Sequence, residues 1–103
     1  MLLVVIVPAP RVVNRYKEPY TVYIGRGTVY GNPYEIGKHG ARKQVIQLYR
    51  TNVLPKLPKE AILALKDQVL GCSCCPLECH GDVLVAEYER ITSSLLNFMK
   101  PVN

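Results

Sequence analysis

The segment Cys72-Ser73-Cys74-Cys75-Pro76-Leu77-Glu78-Cys79-His80-Gly81-Asp82 gathers all four cysteines of the chain, one of its two histidines and two carboxylates, of which Asp82 lies just after the histidine. Three chemistries fit these residue types. Zinc takes tetrahedral thiolate and imidazole ligands, and Cys72, Cys74, Cys79 and His80 make a four-ligand set. Cys72 and Cys74, two apart on a strand, would share a face. Adjacent Cys79 and His80 would diverge, and the spacing is not the paired C-x-x-C of common zinc modules. The second chemistry is a reactive thiol. Cys79 would open the C-terminal helix, where free N–H groups and the helix dipole favour a thiolate. His80 would then be base or orienter, and Asp82 would accept from it or cap the helix. The third is structural: buried cysteine behaves as a small apolar residue, which suits Cys75 best, with His80 and Asp82 tying the turn to the helix.

A second candidate region lies upstream, in Gly25-Arg26-Gly27 through Gly31-Asn32-Pro33. Glycines let a ligand approach the backbone, and the Arg26 guanidinium can fork onto a phosphate or carboxylate. Asn32 can orient a base or ribose, or bond within its own loop. The pattern is neither a dinucleotide fingerprint nor a P-loop. The competing reading is a tight loop with Arg26 in a salt bridge. Lys38, His39, Arg42 and Lys43 add positive charge near the next helix, and Arg42 is a further candidate for holding an anion. Tyr16, Tyr20, Tyr23, Tyr30 and Tyr34 lie in the same third of the chain, as base-stacking platforms or as ordinary strand packing.

These residues need elements to position them. Leu2–Val7 reads as a buried strand ended by Pro8, and Arg11–Asn14 as a short one. Tyr20–Ile24 is aromatic and β-branched and predicts another strand. Gly25–Gly40 is a loop too long for a simple turn, and long ordered loops are commonly functional. Val45, Ile46, Leu48, Tyr49 and Val53 share one face of a helix over 41–53. Pro58 suits the first turn of a helix over 59–66. Gln68–Cys74 predicts a strand, and the apolar spacing from Val83 to Phe98 predicts a long C-terminal helix over 81–99. This order predicts one α/β domain over residues 1–103, with a mixed or parallel sheet and about three helices in a Rossmann-like arrangement. Ligands of such folds sit at the carboxyl end of the sheet.

A chain of 103 residues with 49% apolar content can bury one core, which excludes wholesale disorder. The formal charge of +5 favours anionic partners. The run Met1–Val7 has no basic flank or cleavage site, and it is too short to span a membrane. The expected compartment is therefore the cytoplasm, where thiols stay reduced and a disulfide framework is not expected.

The motifs also carry a resemblance. Val12-Val13-Asn14, Val22-Tyr23-Ile24-Gly25-Arg26, Gly31-Asn32-Pro33-Tyr34 with Ile36-Gly37, Gly40, Arg42, Val45-Ile46 and Tyr49 occur in order, followed by Leu70-Gly71-Cys72-Ser73-Cys74 and Cys79-His80-Gly81-Asp82-Val83-Leu84. The string resembles a family of small prokaryotic and phage proteins classed only as a domain of unknown function, over roughly residues 12 to 88. The resemblance implies that Arg26, Asn32, Arg42, Cys72, Cys74, Cys79, His80 and Asp82 are signature positions. Tyr34 stands where that family often has Phe, Tyr30 and Ser73 where it often has Trp, and Cys75 is not a usual cysteine of the family.

The functional expectation is an anionic ligand, a nucleotide or other phosphate-bearing molecule. Gly25, Arg26, Gly27, Asn32 and Arg42 would bind it, and Cys79, His80 and Asp82 would supply any chemistry. The alternative is a zinc-stabilised module on Cys72, Cys74, Cys79 and His80 that binds nucleic acid or protein. A third reading is an accessory protein that works through a protein interface, with inert cysteines.

Overall fold

The computed structural model describes residues 10–98. The expected strand Leu2–Val7 lies outside them. Three strands form one parallel sheet: β1 (Arg11–Asn14), β2 (Val22–Tyr23) and β3 (Val69–Cys72). β3 is central, with Val12 and Val22 both opposite Leu70 and with Val13 and Tyr23 opposite Gly71. Leu70, Gly71 and Cys72 are all buried, as expected of a parallel strand covered on both faces. The small α/β domain with a parallel sheet is thus observed.

The strand boundaries are shorter than the sequence suggests. β2 covers two residues of the expected five, and β3 stops at Cys72 rather than Cys74. The reason is the path of the connection. The chain leaves β1 with the Arg15 N–H on the Cys72 carbonyl, then passes over β3, so that the Tyr20 ring lies against Gly71. Thr21 pins the far side of this crossing. Its N–H donates to the Val69 carbonyl at 2.9 Å, and its hydroxyl accepts the Val69 N–H at 2.8 Å. Tyr20 is therefore a crossing residue and not a strand residue.

The helix expected over 41–53 is divided. α1 is Arg42–Leu48, followed by a π-helical turn, Tyr49–Val53, and a 3₁₀ turn, Leu54–Lys56. The Gln44 side chain accepts the Ala41 N–H and closes the start of α1. α2 is Lys59–Leu63, led in by Pro58, and it ends earlier than the expected Lys66 because the chain turns through Asp67 at φ 63°. α3 is His80–Phe98. Its buried residues Val83, Leu84, Tyr88 and Ile91 recur at helical spacing. They share one core with Ile24, Ile46, Tyr49, Ile62, Leu65 and Leu70. α3 packs against β1, α2 and the π-helical turn, which brings its N-terminus to the carboxyl end of the sheet. Among the described residues no helix is long and apolar enough to cross a membrane.

Candidate ligand cavity at the carboxyl end of the sheet

A cavity of about 550 Å³ opens where β2 and β3 end. Gly25, Arg26, Asn32 and Arg42 line it from the upstream segments, and Cys72, Cys74, Cys79 and His80 line it from the cysteine segment. Two regions about fifty residues apart in the chain therefore meet at one site. Gly27 lies outside the cavity lining, at a turn with φ +90°. Asp82 also lies outside it, in a shallower depression beside β1 with Pro76 and Leu77.

Most of the expected ligand-binding groups already have partners. Arg26 forms an ion pair with Glu35 at 2.8 Å, both partly exposed. Asn32 is spent on its own surroundings. Its amide donates to the Val45 carbonyl at 3.1 Å, and its oxygen accepts the Tyr34 N–H at 3.0 Å. These bonds tie the glycine loop to α1, so Asn32 shapes the cavity wall and offers little to a ligand. Gly25 leaves room for a protein side chain, since a Cβ there would overlap the Tyr23 ring. Arg42 differs from Arg26. One N–H donates to the Glu78 carbonyl at 2.9 Å, which links α1 to the cysteine segment. Among the described residues it has no carboxylate partner, and four of its five N–H donors are uncommitted. The tyrosines are mostly engaged as well. Tyr23 lies under the Arg15 guanidinium at 4.6 Å, and the Tyr30 hydroxyl donates to the Ala61 carbonyl at 2.7 Å.

His80 is the most chemically defined group. Its Nε2 lies 2.6 Å from the Ile24 carbonyl. A carbonyl only accepts, so Nε2 carries the proton and Nδ1 of the neutral ring keeps its lone pair. Nδ1 has no hydrogen-bond partner, yet no side-chain nitrogen among the described residues is both fully buried and unpartnered. Nδ1 is therefore not sealed off from solvent, and His80 lines the cavity. Tyr49 supports the ring, with centroids 5.0 Å apart. Burial lowers the His80 pKa and outweighs the Ile24 carbonyl and Asp82, which act in the opposite sense.

A pH dependence follows. As pH falls through about 6.5 the unfolded imidazole binds a proton that the folded one resists, so the unfolded state gains protons first and stability drops. The His80 contribution is complete above the unfolded value and is lost as pH falls toward the lowered folded value. Urea midpoints measured at about pH 7.5 and 5.5 should fall further for the wild type than for His80→Gln. Equal falls would show that His80 is not the titrating group.

The cysteine segment does not assemble a zinc site. Cys79 Sγ sits 3.4 Å from Cys72 Sγ, but among the described residues no three His, Cys, Asp or Glu side chains converge. The expected set of Cys72, Cys74, Cys79 and His80 is thus not gathered as a ligand shell in this arrangement. Cys79 does precede α3, and the Gly81 N–H donates to its sulfur at 3.3 Å. That effect loses to burial. The thiol pKa is raised, first by desolvation and then by the bond with Cys72. Asp82 accepts the Cys79 N–H at 3.0 Å and so closes the first turn of α3 as a helix cap. The cavity also uses Tyr34, one of the tyrosines considered for stacking, and the carboxylates Glu35 and Glu78, to which the sequence reading gave no role. Glu35 lay close to Arg26 in a glycine-bent loop, which is the one signal that could have paired them.

The family model described as "Domain of unknown function (DUF4326)" matches residues 11–90. The chain belongs to this family. It is 36% identical over 87 residues to the "Uncharacterized 12.4 kDa protein in nrdA-td intergenic region" of Enterobacteria phage T4, an alignment covering 79% of each chain. No solved structure matches the chain.

Proposed function

We propose that the cavity binds a small phosphate-bearing molecule of the nucleotide class and that His80 acts on it as a proton acceptor. The observation that carries this reading is the meeting of Arg42 and His80 in one cavity at the carboxyl ends of two parallel strands. Rossmann-like folds bind their ligands at that position. Arg42 supplies uncommitted donors suited to a phosphate. Arg26 can join it by exchanging its solvent-exposed bond to Glu35, which costs little because such exposed pairs are worth under about 1 kcal/mol. Tyr34, Ile36, Val45 and Ile46 give an apolar wall for a base or sugar. His80 Nδ1 is neutral and basic at pH 7, held in one tautomer by the Ile24 carbonyl, as a general base must be. Cys79 and Asp82 hold the start of α3 in place under this reading.

The test is calorimetric titration of reduced protein with a panel of nucleoside mono-, di- and triphosphates. Arg42→Gln should weaken binding by about ten- to a hundredfold, the value of a charge-assisted hydrogen bond. His80→Gln should leave affinity within about threefold while abolishing turnover of the bound nucleotide. A wild type that binds no member of the panel at millimolar concentration, or an Arg42→Gln variant with unchanged affinity, removes the reading.

A further inference from the structure

We propose that Cys72 and Cys79 form a redox-active dithiol that closes to an intramolecular disulfide at the base of the cavity. The inference concerns the same cavity but does not rest on any ligand being bound there. The two sulfurs come from different elements: Cys72 ends β3, and Cys79 immediately precedes α3. They stand 3.4 Å apart, 2% and 4% exposed, and both line the cavity. Apolar packing alone would account for two buried cysteines. It does not require them to face each other at an opening that a small reagent can enter.

The two remaining cysteines are placed differently. Cys75 points its sulfur towards the Val12 carbonyl at 3.7 Å, on the β1 side. Cys74 lines the cavity but is only half-buried and has no sulfur within bonding reach. The pair is therefore defined, and its closure needs only a further approach of about 1.4 Å between the sulfurs. The Gly81 N–H on Cys79 Sγ gives that sulfur a donor while it carries negative charge.

The oxidant is a low-molecular-weight disulfide, RSSR. One cysteine thiol gives its proton to water and attacks a reagent sulfur. A mixed disulfide forms, the reagent S–S bond breaks, and RS⁻ leaves to be protonated as RSH. The second cysteine then loses its proton and attacks the cysteine sulfur of the mixed disulfide. The intramolecular S–S bond forms and a second RSH departs. The dithiol loses two electrons, the reagent gains two, and both protons end on the released thiols. Burial keeps the Cys79 thiol protonated at neutral pH, so the exchange is slower than at an exposed low-pKa thiol and speeds up as pH rises.

The test uses the full chain, reduced and free of nucleotide, equilibrated with glutathione and its disulfide at a series of ratios. Samples are acid-quenched, unfolded, alkylated and mapped by mass spectrometry. A Cys72–Cys79 link should be the first intramolecular disulfide, and it should persist in the Cys74→Ser/Cys75→Ser double variant. Cys72→Ser should lose it and leave a glutathione adduct on Cys79. Should Cys72→Ser fail to fold, the double variant still decides the question. Glutathione adducts confined to Cys74 or Cys75, with Cys72 and Cys79 fully alkylated at every ratio, would overturn the proposal. So would a preferred link from Cys72 to Cys74.

Discussion

Gly71→Val should destabilise the domain by about 1–3 kcal/mol, the usual cost of forcing extra atoms into a packed site. By propensity alone the sign would be reversed, since valine favours a strand by up to about 1 kcal/mol over glycine. Sterics decide. A Cβ built on Gly71 meets Tyr20 Cγ at 2.6 Å and both Cδ atoms at 2.9 Å. These atoms are at the root of the ring, so the side chain cannot swing clear by rotating its far end. The backbone cannot withdraw cheaply either, because both Thr21 bonds to Val69 hold the crossing segment against β3. A loss of about 4–8 °C in Tm per kcal/mol is expected for a domain of this size. The decisive measurement is a double-mutant cycle with Tyr20→Ala. Removing the ring should recover most of the loss, a coupling that independent sites do not show. A Gly71→Val protein as stable as the wild type, or one that Tyr20→Ala does not rescue, would mean that the crossing does not govern this position.

This crossing also shows why the sheet was only partly legible in the sequence. The apolar run around Leu70, the short strand Arg11–Asn14 and the periodicity of α3 depend on local patterning, and each appears near its expected place. Tyr20 to Ile24 reads equally well as five strand residues, because aromatic and β-branched types suit both a strand and a ring laid across one. What separates Tyr20 from Val22 is Gly71, about fifty residues away, and no local pattern carries that information. The cavity shows the same division. The residue types at Arg26, Arg42, Cys79 and His80 drew attention because they are chemically capable, and all four line it. Their roles depended on partners the sequence does not indicate. The Val45 carbonyl claims the Asn32 amide and the Ile24 carbonyl fixes the His80 tautomer, whereas the Arg26 salt bridge, found here with Glu35, was one of the two readings its loop allowed. The helix dipole argument for a Cys79 thiolate was physically sound, but burial outweighed it.

Tyr49 connects the core to the cavity, and its replacement should have the largest effect of any single change. The ring is fully buried. Its burial fits the apolar helix face read from the sequence, but its partners Tyr30 and His80 are 19 and 31 residues away, and no local pattern indicates them. Two contacts matter. The hydroxyl donates to the Tyr30 carbonyl at 2.8 Å, holding the glycine loop, and the ring supports His80. Burial raises the phenol pKa, so the hydroxyl remains a donor at any physiological pH. Tyr49→Ala should therefore cost about 3–5 kcal/mol, as for other buried aromatics cut to alanine. Tyr49→Phe keeps the ring and leaves the Tyr30 carbonyl without its partner, which should cost about 1–3 kcal/mol. Chemical denaturation of both variants separates packing from hydrogen bonding. A Tyr49→Phe loss equal to that of Tyr49→Ala would assign the whole effect to the hydroxyl and the loop it holds. The expected order, with alanine clearly worse, means that packing of the ring in the core, His80 included, outweighs the hydroxyl bond. Tyr49→Phe should then preserve the pH dependence attributed to His80, because the imidazole keeps both its neighbour and its bond to Ile24.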